Sequence, residues 1–185
     1  MLTGLYPHAH GLTENDGRFG GRPALDNSDW LITQSLAQAG YRTGWFGKWH
    51  LHQSLDASSF GFEGVSLPDY GYPYATDAYA EYVDKLGITS PNATIELPGE
   101  SQTETGTRLA LCELEQWQDY EAGSAILDGP AQAHEAFFVS KLASDWIASV
   151  SDDPFFLRVD PWGPHPPYIL GAPFIDSSDA PSDYA

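Results

Sequence analysis

Between Gly40 and Leu51 the chain reads GYRTGWFGKWHL, and this run constrains the local fold more tightly than any other. Ahead of it, residues 28–39 place Ile32, Ser35, Leu36 and Ala39 at i, i+3, i+4 and i+7, one stripe of an amphipathic helix. Asn27 or Ser28 stands where a cap is needed, and Gly40 supplies the left-handed residue that ends the helix. Tyr41 to Phe46 then reads as a strand leading into Lys48-Trp49-His50. The same order recurs further on. Pro130 suits the first turn of a helix. Val139, Ala143, Trp146, Ile147 and Val150 keep helical spacing until Asp152-Asp153-Pro154 breaks it. Phe155-Phe156-Leu157-Arg158-Val159 follows, a short apolar run predicted as a central strand covered on both faces. Two helix-then-strand units predict an α/β sandwich around a largely parallel sheet.

In such sheets ligands bind beyond the carboxyl ends of the strands. Both predicted strands carry chemistry there. Lys48 and His50 are two residues apart and point to one side of an extended backbone. A lysine is a compact, mobile cation suited to sulfate or phosphate oxygens. A histidine takes or gives a proton near neutral pH. His165 stands between Pro164 and Pro166, whose rings fix the backbone on either side of it. Lys48, His50 and His165 are therefore the candidate site residues. The plainer alternative is a surface lysine, a core histidine and a turn histidine bonded to its own backbone.

His8/His10 and His50/His52 form two His-x-His pairs, which with a carboxylate such as Asp160 admit a zinc hydrolase. A better fit has His8 and His10 organising the turn around Pro7 and Gly11, with His52 outside the site. Cys112 is the single cysteine, so no intrachain disulfide and no thiolate zinc knuckle can form, and it reads as an isolated structural thiol. Twenty-six Asp and Glu against 8 Lys and Arg give a formal net charge of −18 over 185 residues. That balance argues against nucleic acid or anionic membranes as partners. No apolar run approaches the roughly 18 residues of a membrane span. The carboxylates are spread along the chain and the lysines are only Lys48, Lys85 and Lys141, which suggests adaptation to high salt, with an acidic mesophilic surface as the plainer alternative.

Between the two units, Phe60 to Tyr74 reads as loop. Asp77 is predicted to cap a helix whose Tyr79, Tyr82, Val83 and Leu86 face inward and which Gly87 stops. Ser90 to Gly106, rich in Thr, Pro and Gly, reads as a surface excursion. Asn92-Ala93-Thr94 fits a glycosylation sequon of the kind common by chance. Tyr70, Tyr72, Tyr74 and Tyr79 can stack on a sugar or aryl group, though packing is the commoner use of such a cluster.

Three separated segments resemble one family. MLTGLYPHAHG (Met1 to Gly11) is similar to the end of the first motif of the sulfatases, where a Cys or Ser, a Pro or Ala, and an Arg precede the leucine-threonine-glycine. GYRTGWFGKWHL resembles their second motif, and PFFLRVDPWGPHPPY (Pro154 to Tyr168) resembles the strand and histidine loop further along. The chain is identified on these segments as an arylsulfatase-type member of the alkaline-phosphatase superfamily. The resemblance implies an incomplete α/β/α sandwich of that type. Residues 1–175 would be part of the catalytic domain, cut at both ends, and residues 176–185 a polar tail. It implies a sulfuric ester hydrolase whose Cys or Ser is converted to formylglycine, with a divalent cation, usually calcium, held by Asp and Asn side chains. Lys48 matches the lysine that contacts sulfate and formylglycine. His50 matches the histidine that bonds the formylglycine hydroxyl, and His165 the one near the leaving oxygen. The nucleophile motif is expected ahead of Leu2 and the metal ligands outside this sequence, so no residue here is assigned to metal. Cys112 cannot stand in, because Glu113-Leu114-Glu115 follows it. The expected partners are a sulfate-ester small molecule or sulfated glycan and the remaining parts of the same domain. The isolated chain is expected to be inactive. The alternatives are a phosphodiesterase or phosphonate monoester hydrolase of the same superfamily, or a non-catalytic relic.

Overall fold

The computed structural model describes residues 2–15, 17–68, 71–97, 104–116, 123–150, 152–165 and 168–171. In chain order the elements are helices α1 (Pro7–His10) and α2 (Ile32–Gln38), strands β1 (Arg42–Lys48) and β2 (Glu63–Leu67), helix α3 (Asp77–Lys85), strands β3 (Asn92–Leu97), β4 (Arg108–Ala110) and β5 (Ser124–Asp128), helix α4 (Glu135–Ser149), and strands β6 (Phe155–Asp160) and β7 (Tyr168–Leu170). They fall into two compact units, Met1–Tyr72 with Val139–Pro161, and Pro73–Phe138 with Trp162–Ala185.

In the first unit the sheet runs β2-β1-β6 with every pair parallel. Gly40 ends α2 as its place in the sequence predicts, at φ +81. Its N–H donates to the Ala37 carbonyl and the Tyr41 N–H to the Leu36 carbonyl, the crossed pair of a glycine-terminated helix. The turn delivers the chain straight into β1, which is buried from Thr43 to Gly47. On one face of β1, Trp45 joins a core of Leu2, Leu25, Leu31, Trp49, Phe60 and Phe62. On the other, Phe46 meets Trp146 of α4, ring centroids 6.1 Å apart. A Cβ on Gly44 would crowd that same Trp146 ring at 3.0 Å. At Gly47 the backbone adopts φ +114, and a Cβ there would collide with the Asp160 carbonyl of β6. The strand can end beside Asp160 only because this residue is glycine.

Three expectations for this unit change. α2 starts at Ile32, not at Ser28. Asp26 takes both the N–H and the hydroxyl of Ser28 (2.8 and 2.6 Å), a local turn that competes with helix. β1, rather than β6, is the strand covered on both faces. Among the described residues β6 lies at the sheet edge, with Phe155 and Val159 exposed. The predicted loop from Phe60 to Tyr74 contains β2.

The second unit holds a sheet of order β4-β3-β5-β7, antiparallel except for the β5–β7 pair. Its strand β3 lies in the stretch read as a surface excursion. Ala93 and Ile95 are fully buried there, alternating with Thr94 and Glu96. α3 begins one residue from the predicted cap. Thr76, not Asp77, accepts the Tyr79 N–H at 3.2 Å. Tyr79 and Val83 face inward as predicted, whereas Leu86 is exposed. Tyr74 and Tyr79 pack edge to face at 5.0 Å, and Tyr79 also meets Phe138 edge to face at 5.5 Å. Tyr72, in the first unit, is likewise buried. Tyr70, Pro166 and the tail 176–185 lie outside the described residues.

Candidate functional site

Lys48 is the last residue of β1, and its main chain is fixed from its own strand. The Trp45 indole N–H donates to the Lys48 carbonyl at 3.0 Å. Trp49 is completely buried, edge to face with Trp45 at 4.8 Å and close to Phe60 at 5.4 Å. This inward tryptophan anchors the segment between Lys48 and His50. Both residues then border one cavity of about 600 Å³ in the first unit, as the two-residue spacing predicts.

The same cavity is bordered by His10, Glu14, Arg158 and Asp160. Arg158 is oriented by two contacts. Its Nη2 donates to both Asp160 carboxylate oxygens at 2.9 Å, and its guanidinium carbon lies 4.9 Å from the centre of the Trp45 ring. Glu14 accepts the backbone N–H groups of Phe19 (2.7 and 2.9 Å) and Gly21 (3.1 Å), which folds the loop after α1 back on itself. His10 closes α1 as predicted for a turn organiser: its Nδ1 accepts the Leu12 N–H at 3.1 Å, and the Gly11 N–H donates to the Pro7 carbonyl. Arg22 fastens that turn by donating to the His10 carbonyl (3.0 Å) while gripping Asp29 with both terminal nitrogens (3.0 and 2.6 Å). The guanidinium holds the Asp29 carboxyl below its ordinary value.

His52 turns elsewhere. Its Nδ1 accepts the N–H groups of Ser54 and Leu55, each at 3.0 Å. Among the described residues no group of three or more His, Cys, Asp or Glu is placed to hold a metal ion. Cys112 is exposed, in a 3-10 turn of the second unit.

His165 belongs to the second unit. It is exposed, in the loop between β6 and β7, and its N–H donates to the Trp162 carbonyl at 3.1 Å, closing a turn. The strand-end reading of Lys48 and His50 extends to two of the other titratable cavity residues and not to the remaining two. Arg158 and Asp160 lie at the end of β6, where the same logic reaches them. His10, marked in the sequence only by its His-x-His pair, ends α1, and Glu14 lies in the loop after it; tertiary folding alone brings either to the cavity.

Among the described residues no helix is long and apolar enough to cross a membrane. A comparison with curated proteins gave no match. The sulfatase family profile, in contrast, matches residues 1–184, a span that takes in both the Lys48–His50 cavity and the His165 loop. The chain belongs to the sulfatase family of hydrolases.

Proposed function

We propose that Lys48 and His50 form the anion-holding and proton-handling side of a sulfate-ester site, and that His165 serves the leaving-group oxygen. The substrate is a sulfate-ester small molecule or a sulfated glycan. One observation carries this reading: Lys48 and His50 border a single cavity of about 600 Å³ at the carboxyl end of β1. That is the edge at which α/β sheets bind ligands. In the reaction a hydroxyl oxygen bonds to sulfur while the bond from sulfur to the alcohol oxygen breaks. Lys48 counters the charge on the sulfate oxygens. His50 takes or returns the proton on the nucleophile's side, and His165 gives a proton to the departing oxygen, which would otherwise leave as an alkoxide.

The described residues do not fit the calcium ion that the resemblance implies. Calcium takes about six to eight oxygen ligands. Here Asp160 is bound by Arg158, and Glu14 is occupied by backbone N–H groups. No step is assigned to the ion. Nor does Cys112 fit the family's nucleophile, since Glu113-Leu114-Glu115 follows it. The 185-residue chain is therefore expected to bind sulfate without turning over its esters.

Calorimetric titration with sulfate at low ionic strength tests this. Lys48→Ala should weaken binding about tenfold, the loss of one charge-assisted hydrogen bond of roughly 1.5 kcal/mol. Unchanged affinity in a folded Lys48→Ala protein would remove the basis of the reading. Calcium-dependent release of nitrophenol from nitrophenyl sulfate by the chain alone would show that it carries a nucleophile of its own.

A further inference from the structure

The turn that carries His165 is held by Glu135, the first residue of α4, and by His134 just before it. Glu135 Oε1 accepts the Gly163 N–H at 3.2 Å. The preceding residue, His134, reaches Ile169 of β7, its Nε2 lying 3.0 Å from the carbonyl oxygen. Because His134 Nδ1 accepts the Ala136 N–H at 3.1 Å, the neutral ring carries its proton on Nε2 and donates it to Ile169. The stretch from Gly163 to Ile169, with His165 inside it, is thus bracketed from one short piece of chain.

That piece is itself fastened. The Glu135 N–H donates to the Tyr74 hydroxyl at 3.2 Å. The hydroxyls of Tyr79 and Tyr82 donate to the carbonyls of Ala133 (2.5 Å) and Gln132 (2.8 Å). Burial of the two phenols pushes both pKa values up, so they stay protonated donors through the neutral range. All these groups lie within the second unit.

Glu135 is only 3 % exposed. Burying a carboxylate is costly unless it accepts hydrogen bonds, and a loop can be anchored more cheaply by a backbone carbonyl. A carboxylate, however, attracts an N–H more strongly than a neutral acceptor does. We propose that Glu135 is a positioning residue: through the Gly163 N–H it fixes the turn that presents His165, so the imidazole is in place before an anion arrives. Its use in catalysis rests on the sulfate-site reading of His165, but the positioning itself does not.

Imidazole proton–carbon spectra of the 185-residue chain, with His165 assigned by His165→Ala, read the effect without sulfate. Glu135→Ala should lose the wild-type His165 signal while those of His50 and His52 stay in place. Glu135→Asp, which withdraws the carboxylate by one methylene, should do the same. Glu135→Gln keeps an acceptor at the same reach and should restore the wild-type signal. An unmoved His165 signal in folded Glu135→Ala or Glu135→Asp overturns the proposal. So does a Glu135→Gln protein that moves His165 as far as Glu135→Ala does. Loss of the fold in both shortening variants counts equally against a positioning role. A sulfate titration of the wild type keeps the two ideas apart. If sulfate shifts neither His50 nor His165, the sulfate-site reading fails while the Glu135 result stands.

Discussion

A single missing side chain sets the geometry at the end of β1. Gly47 sits at φ +114, where L side chains carry strain, and its Cα faces the Asp160 carbonyl closely enough to leave no room for a methyl group. Gly47→Ala should therefore destabilise the protein by about 2–4 kcal/mol, from backbone strain together with displacement of β6. Urea unfolding measures this directly, and a cost below about 0.5 kcal/mol would mean that the strand end relaxes freely. The residue lies between two that border the cavity, Trp45 and Lys48. A surviving Gly47→Ala protein should accordingly bind sulfate more weakly than its residual stability alone suggests.

At the scale of elements, Glu63 ties three of them. Arg42 of β1 donates to it with two nitrogens at 2.5 Å, and the Trp146 indole of α4 donates to it at 3.0 Å. Arg42 first, and Trp146 after it, hold the Glu63 carboxyl below its ordinary value. The folded chain thus binds that proton less readily than the unfolded one. The tie's contribution is complete above the ordinary carboxylate range and is lost as pH falls through the lowered folded value. Arg42 and Glu63 are each more than a third exposed, so solvent screening keeps the contribution small. Glu63→Gln should lower the thermal midpoint at neutral pH and converge on the wild type in acid. A gap that persists unchanged to low pH would contradict this. Elements were legible where one local signal was unopposed. Gly40 marked the end of α2, and the apolar spacing of Val139, Ala143 and Val150 marked α4. They were misread where a neighbour competed, as when Asp26 took the Ser28 N–H that a helix start would have used. β3 was hidden by the polar residues around it, although Ala93 and Ile95 alternate with Thr94 and Glu96 as a strand requires. At the cavity, the positions of Lys48 and His50 follow from their place at a strand end. Those of His10 and Glu14 do not, because a cavity is closed by segments far apart in sequence. Glu135 gave no sequence signal beyond an acid near a helix start.

For the whole molecule the formal charge of −18 dominates. Self-repulsion on this scale opposes the compact state, and salt relieves it by screening over roughly 10 Å at 0.1 M and 3 Å at 1 M. The midpoint of thermal unfolding should rise steadily from dilute buffer to molar KCl. An equal midpoint in both would reject adaptation to salt. The order of the first sheet has another outcome, in time rather than in stability. Arg42 pairs with Phe155, so about a hundred residues separate the partners that close β1 against β6, and the segment Pro73–Phe138 of the second unit lies between them. A ribosome adding about 5–20 residues per second needs on the order of ten seconds to cross that interval. Throughout it the nascent β1 has an open edge and an uncovered Phe46, whose partner Trp146 is made only later. That delay makes the birth of this chain, more than its mature state, the moment at which chaperone capture and aggregation compete for it.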